Sequence, residues 1–222
     1  MRILVACEES QAVTIELRKL GHEAYSNDLI ETSGEHPEWH LKDDCIKLMY
    51  DKSYNWDMVI AFPPCTYLTV TGARWLYHPD DKHLPTEESR PHPKHPNRKE
   101  QQKDGLELVR KIMNAPIDKI AIENPIGAIS TNIRKPDQII QPYEYGDSAQ
   151  KTTCIWLKGL PKLLPTNIVD KGEIIHLKSG KSMSKWYLET SRLNPKERAK
   201  IRSKTFPGIA KAMAEQWTKE LL

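Results

Sequence analysis

Short runs of aliphatic and β-branched residues alternate with stretches of helical periodicity through the first two thirds of the chain. That alternation limits the fold more than any other feature. Ile3 to Cys7 is the first apolar run. It is followed by Gln11 to Leu20, where Val13, Ile15, Leu17 and Leu20 roughly follow one helical face and Gly21 supplies a stop. A short strand is expected from Glu23 to Ser26, ending at Asn27-Asp28, and then a loop to Asp43-Asp44-Cys45. Asp57 to Phe62 reads as a buried strand that breaks at Pro63-Pro64, because proline lacks the ladder donor and restricts the residue before it. Arg98 to Met113 is helical, with Leu106, Val109, Ile112 and Met113 apolar; Lys119 to Ile122, Ile139-Ile140 and Thr153 to Leu157 read as further strands. Such β-α alternation predicts an α/β fold on a largely parallel sheet.

Two segments escape this pattern. Residues 66–97 hold five prolines and four histidines with no periodicity, which predicts a long loop, read as a lid over whatever lies before it. Pro161 to Lys204 is poorly patterned, with Ser179-Gly180-Lys181-Ser182 as a turn tip, and Ile209 to Leu222 closes the chain as a helix through Ile209, Ala212, Met213, Trp217 and Leu221.

At 222 residues the chain is expected to be a single domain. With 38 % apolar and 28 % charged residues and a mean hydropathy of −0.63, disorder and membrane insertion are poor readings. No segment approaches the ~18 apolar residues of a membrane span. The opening run is too short for a signal peptide and meets Glu8 and Glu9 at once, so a cytoplasmic location is expected. Cys7, Cys45, Cys65 and Cys154 show no C-x-x-C pairing, which points to neither a disulfide framework nor a zinc site. The net charge of +3 is unevenly spread: residues 151–222 carry 15 Lys and Arg against 6 Asp and Glu, and the first 150 carry 18 against 24. A basic last third fits a polyanion such as nucleic acid, and equally a solvated lysine-rich face.

In open parallel sheets, ligands sit beyond the carboxyl ends of the strands. Glu8, Asp28, Cys65 and Glu123 are expected at that edge. Cys65 follows a rigid two-proline break, which suits either a presented nucleophile or a small buried hydrophobe. Glu123, between Ile122 and Asn124-Pro125, is expected to be partly desolvated and so biased toward its protonated form.

Ala61-Phe62-Pro63-Pro64-Cys65, followed 58 residues later by Glu123-Asn124-Pro125, resembles the Pro-Pro-Cys and Glu-Asn signatures of the cytosine-5 DNA methyltransferases. The order of the remaining elements is similar to that family too. Leu4 to Val13 sits where a first cofactor loop belongs, Ser26-Asn27-Asp28 resembles the acidic end of the second strand, and Asp44 the acid after the third. Tyr145-Gly146 with Gln150-Lys151, and the strand from Cys154 to Leu157, resemble the segment before a target-recognition region; Thr205-Phe206-Pro207 resembles the last cofactor motif. The compact methylase-like proteins of bacteriophages and prophages share this pattern.

The resemblance implies a Rossmann-like, S-adenosylmethionine-dependent methyltransferase fold, with residues 160–204 as a reduced target-recognition appendage. It implies that the Cys65 thiolate attacks carbon 6 of cytosine, that Glu123 donates to ring nitrogen 3, and that carbon 5 takes the methyl group. Pro64 and Asn124 belong to the same two catalytic signatures. Asp28 would hold the cofactor ribose, Asp44 the adenine amino group and Phe62 the pocket wall, with Cys7, Glu8, Ser10 and Thr205 completing the cofactor site. Lys151 and Thr153 would contact the base, which must be flipped or already unpaired. Independently of the resemblance, Trp186 amid Lys181, Lys185 and Arg192 reads either as a phosphate-and-stacking patch for an unpaired strand or, equally, as a small core under a solvated face.

The chain departs from the family pattern in two places. The first loop, Ala6-Cys7-Glu8-Glu9-Ser10, has no glycine, and the usual arginine pair is replaced by Thr152, Thr153 and Cys154, leaving Lys151 as the nearby cation. Two rival readings therefore stand: cytosine-ring chemistry on a free nucleotide or with an unusual one-carbon donor, and an idle methylase-like module that binds DNA or a protein partner. His78, His83, His92 and His95 read as a polar loop rather than a metal cluster, and no metal is expected. Oligomeric state is open.

Overall fold

The structure, a computed structural model, describes residues 1–177, 179–180 and 182–219. Seven strands form one sheet: β1 (Arg2–Ala6), β2 (Glu23–Asp28), β3 (His40–Lys42), β4 (Met58–Ala61), β5 (Lys119–Pro125), β6 (Gln138–Ile140) and β7 (Thr153–Lys158). Their order is β3-β2-β1-β4-β5-β7-β6. β1 to β5 pair in parallel, and β7 runs antiparallel to both β5 and β6. This is the expected α/β fold on a mostly parallel, Rossmann-like sheet.

Both faces are covered, which is why the central strands read as continuous apolar runs. Leu4 and Ala6 of β1, Val59 and Ala61 of β4, and Ile120 and Ile122 of β5 pack toward α2 (Cys45–Tyr50), α4 (Arg98–Met113) and α5 (Ala128–Asn132). Ile3, Val5, Met58, Ile60 and Ala121 point the other way, against α1 (Ala12–Lys19) and α8 (Pro207–Thr218). α8 contributes Ile209, Ala212, Met213 and Trp217, as its periodicity predicted; Leu221, the last residue of that pattern, lies outside the described residues.

The strand register matters most for the site. Asn27, Ala6, Ala61 and Ile122 lie in one row across β2, β1, β4 and β5. One residue beyond that row stand Asp28, Cys7, Phe62 and Glu123, and Thr153 opens β7 opposite Pro125 at the same edge.

Residues 66–97 are not the irregular loop expected. They contain the short helix α3 (Val70–Ala73), a helical turn at Pro79–Asp81 and a bridge between Tyr77 and Pro91. Arg90 donates from Nε and Nη2 to the buried Asp81 carboxylate at 2.9 and 2.6 Å, which holds that carboxyl well below its usual range. His92 and His95 meet the edge of Trp75, with centroids 4.9 and 5.1 Å away. These contacts join residues many positions apart, so no local periodicity announced them.

Residues 160–204 form a hairpin of β8 (Ile174–His176) and β9 (Ser182–Ser184), then α6 (Lys185–Arg192) and α7 (Pro195–Ser203). Arg202 ties α7 to α6: its Nη2 donates to the Tyr187 carbonyl at 2.9 Å and to Ser191 Oγ at 2.7 Å, and its guanidinium lies 4.0 Å from the Tyr187 ring centroid. Of the expected tip, Ser179 and Gly180 lie between β8 and β9, with Gly180 at a φ of 77°, and Ser182 opens β9; Lys181 lies outside the described residues.

Candidate active site

Cys65, Glu123, Lys151 and Thr153 come together at the carboxyl edge of β4, β5 and β7. Glu123 and Thr153 lie diagonally across the β5–β7 ladder on one face of the sheet. Burial pushes the Glu123 carboxyl up, while the Lys151 ammonium and the Thr153 hydroxyl pull it down. Cys65 is half-buried. Burial raises its thiol first, the Glu123 carboxylate raises it further, and Lys151 opposes both. The Lys151 ammonium thus favours the ionised form of both groups, while the Glu123 carboxylate disfavours the Cys65 thiolate.

Several contacts fix this geometry. Asn124 is buried, and its Nδ2 donates to the Pro63 carbonyl at 2.8 Å, which clamps the end of β5 to the two-proline turn. The Cys65 carbonyl accepts from the amides of Leu68 and Thr69 at 2.9 and 3.1 Å. Arg98 Nη2 donates to Thr66 O at 2.7 Å, and Gln102 Nε2 to Tyr67 O at 3.1 Å, so the first turns of α4 hold the segment after the cysteine. The Leu68 carbonyl accepts from Ala128, and Val70 donates to the Ile126 carbonyl, which stitches the two signature loops together. Gly127 permits the close approach: a Cβ there would stand 1.8 Å from Leu68 O. The chain after Cys65 is therefore anchored at its base. Arg98 and Gln102 were missed in the sequence because they look like ordinary residues of an amphipathic helix; the bond from Asn124 to Pro63 makes it a positioning residue. Pro64 is exposed at the turn.

The other half of the edge holds the expected cofactor residues, differently used. Asp28 accepts from the Leu29 amide at 2.7 Å, and Asp44 caps α2 by accepting from Ile46 at 2.8 Å; both lie close enough to Cys7 for their charge to raise its thiol. Phe62 packs on the apolar face beside α8, Ser10 and Thr205 are half-buried, and Cys7 takes a left-handed φ of 58°. Glu8 is placed otherwise than a ligand to an ammonium group. It is buried, and its carboxylate turns toward the start of α1, accepting from Val13 N at 2.6 Å, Thr14 N at 3.3 Å and Thr14 Oγ1 at 2.7 Å. An internal carboxylate thus occupies the helix end that a glycine-rich loop would leave open.

The expected nucleic-acid patch is only partly assembled. Lys185 pairs with Glu173 at 2.9 Å, so its charge is already matched. Trp186 packs on Phe206, with centroids 5.5 Å apart, and joins a small core instead of offering a free stacking face. Arg192 is exposed at the end of α6; Lys178 and Lys181 lie outside the described residues. A cavity of about 690 Å³ lies at the opposite end of the strands, lined by His22, Asp57, Lys119 and Trp217 among others, away from all the titratable groups above. We place the site at the carboxyl edge because the shifted groups converge there. Among the described residues, no group of three or more metal-ligating side chains is found, and no helix is long and apolar enough to cross a membrane.

No protein-family model and no curated protein matches the chain. Among solved structures, it is similar to a candidate DNA modification methyltransferase encoded within a prophage of Escherichia coli, with 12 % identity and a TM-score of 0.42. That likeness covers 76 % of this chain and 51 % of the other, so the chain spans about half the length of that protein.

The electrostatics give a direct test. Alkylation of Cys65 by iodoacetamide at pH 8.5 is expected to quicken several-fold in Glu123→Gln, which removes the opposing carboxylate, and to slow in Lys151→Met. Mass mapping of the peptide Ser53–Arg74 reads both rates. Equal rates in all three proteins would mean that the three groups do not share a site.

Proposed function

We propose that the chain is a cytosine-5 methyltransferase acting on DNA. The observation that carries this reading is the convergence of Cys65, Glu123, Lys151 and Thr153 on one sheet edge, with Asn124 clamping the nucleophile turn. Asp28 and Asp44 at the same edge, two and three strands from the one that leads to the thiol, support it further.

The Cys65 thiolate attacks carbon 6 of the ring, and protonated Glu123 donates to nitrogen 3 so that negative charge does not build up there. Burial of Glu123 favours the form that can donate. Lys151 stabilises the thiolate as it forms and, through a single cation, takes part of the role of a guanidinium. Asn124 keeps the sulfur aligned by fixing Pro63. Asp28 and Asp44 would hold the adenosine end of S-adenosylmethionine, which when bound would supply a methyl group to carbon 5 and leave as S-adenosylhomocysteine; loss of the carbon 5 proton to water would then break the bond from carbon 6 to the Cys65 sulfur and free the thiolate. The cytosine must leave its stack to reach a half-buried sulfur.

One observation favours a second reading, in which the donor is not S-adenosylmethionine. With Glu8 filling the start of α1, the donor's carboxylate has no free helix end to meet, and its methionine portion has no glycine loop to lie against. Calorimetric titration decides between them. S-adenosylmethionine and S-adenosylhomocysteine are expected to bind near micromolar, with at least tenfold weakening in Asp28→Ala, and methyl-labelled donor is expected to leave its label in cytosine of added DNA. No binding by the native protein would overturn the cofactor assignment in favour of the second reading. Binding with no label in cytosine would overturn the proposed reaction.

A further inference from the structure

Cys7 and Cys45 lie 38 positions apart in neither a motif nor a pair that the sequence marks, yet their sulfurs stand 3.9 Å apart. Cys7 directly follows β1 in a left-handed conformation, and Cys45 opens α2 directly after the cap Asp44. The Cys7 thiol donates to the Cys45 sulfur, and this one contact pushes the two groups in opposite directions: Cys7 rises well above the usual thiol range and Cys45 falls below it. The pair consists of a favoured thiolate and a protonated neighbour, the two roles that peroxide oxidation to a disulfide requires. The other two cysteines differ: burial and Glu123 raise both Cys65 and Cys154, and neither has a sulfur contact among the described residues.

We propose that Cys7 and Cys45 are a redox-active dithiol that a hydroperoxide closes into an intramolecular disulfide. The Cys45 thiolate attacks one peroxide oxygen, the O–O bond breaks, and hydroxide leaves, which turns Cys45 into a sulfenic acid. The Cys7 sulfur then attacks the Cys45 sulfur, the S–O bond breaks, and the Cys7 proton and the departing hydroxyl leave as water. Two thiols are oxidised, one hydrogen peroxide is reduced, and two waters form in all. Closing the gap from 3.9 Å to the ~2.05 Å of a disulfide asks for a shift of about 2 Å, within reach of a side-chain rotation and a small displacement of the six-residue α2. The new bond would tie the ends of β1 and α2 together between Asp28 and Asp44. The inference rests on the two sulfurs alone and stands whether or not that edge holds a nucleoside cofactor.

The test treats the native, fully reduced protein with a small molar excess of hydrogen peroxide, then alkylates and digests it without reductant. The expected result is a fall from four free thiols to two and a species linking Ile3–Arg18 to Asp43–Lys47, about 2 Da lighter than the sum of the two peptides. Dithiothreitol should restore all four thiols. In Cys7→Ser, Cys45 should stop at the sulfenic acid, trapped by dimedone, with no linked peptide. Four thiols remaining in the native protein, a link involving Cys65 or Cys154 instead, or independent oxidation of Cys7 and Cys45 without a link would each overturn the proposal.

Discussion

Replacing Cys65 by serine is expected to lower methyl transfer to cytosine on the order of 10³-fold or more, because a serine hydroxyl does not ionise in this environment. Mass spectrometry of nucleosides from digested DNA measures it, and undiminished 5-methylcytosine would end the covalent mechanism. The pH profile carries a second signature. The proposed reaction needs ionised Cys65 together with protonated Glu123, and burial raises both groups from ordinary values at which the thiol is the weaker acid. Below the Glu123 transition the rate should rise with pH, as thiolate accumulates. Between the two transitions, the gain in thiolate offsets the loss of protonated acid, and the rate should be flat. Above the Cys65 transition, it should fall. Glu123→Gln removes one titration, so its much lower rate should climb until Cys65 is ionised and then level off. A native rate that climbs across the whole range would mean that Glu123 is not the proton donor.

The second large effect concerns Glu8 and stability. Burial pushes this carboxyl from the usual 4.5 up to about 7, although three hydrogen bonds from Val13 and Thr14 pull the other way. The folded state therefore holds a proton that the unfolded chain has released between those two values. The sign follows: the stabilisation is fully present below pH 4.5 and is lost as pH rises through about 7. A gap of this size corresponds to about 3 kcal/mol. Glu8→Gln has no such titration, so the native protein's stability relative to the variant should fall by roughly 3 kcal/mol between pH 4.5 and 8 and then stay constant. Urea unfolding of both proteins across that range reads the difference. A relative stability independent of pH would show that the carboxyl is ionised throughout, its hydrogen bonds having outweighed its burial.

The substrate assignment depends on a surface that folding has partly neutralised. Glu173 sits next to Lys185 only because the β8–β9 hairpin brings its first strand alongside the start of α6, where the Lys185 amide also donates to the Glu173 carbonyl. A count of lysines and arginines does not detect such pairing. Arg192 remains exposed, and a nucleic-acid contact in this region begins from fewer free charges than the composition suggests.

Periodicity is local, and the elements it governs were legible: β1, α1, β4, α4, β5, β7 and α8 stand within a few residues of where their apolar spacing put them. The three-residue β3 and the six-residue α2 are too short to show a period: β3 falls in the stretch read as loop, and α2 went unread. The two signature segments were equally plain, because a proline pair and an acid between apolar neighbours mark strand ends by their own chemistry. Contacts between distant residues decided the rest. The register of β4, β5 and β7 brings Lys151 and Thr153 to Cys65 and Glu123; Arg98 reaches back 32 positions to hold the turn at Thr66; Cys7 meets Cys45. Glu8 shows the limit most directly. Its position at the edge followed from the strand before it, but whether its carboxylate faced a ligand or the amides of α1 depended on one side-chain rotation and the burial around it, and such choices are made by tertiary packing, which no spacing along the chain records.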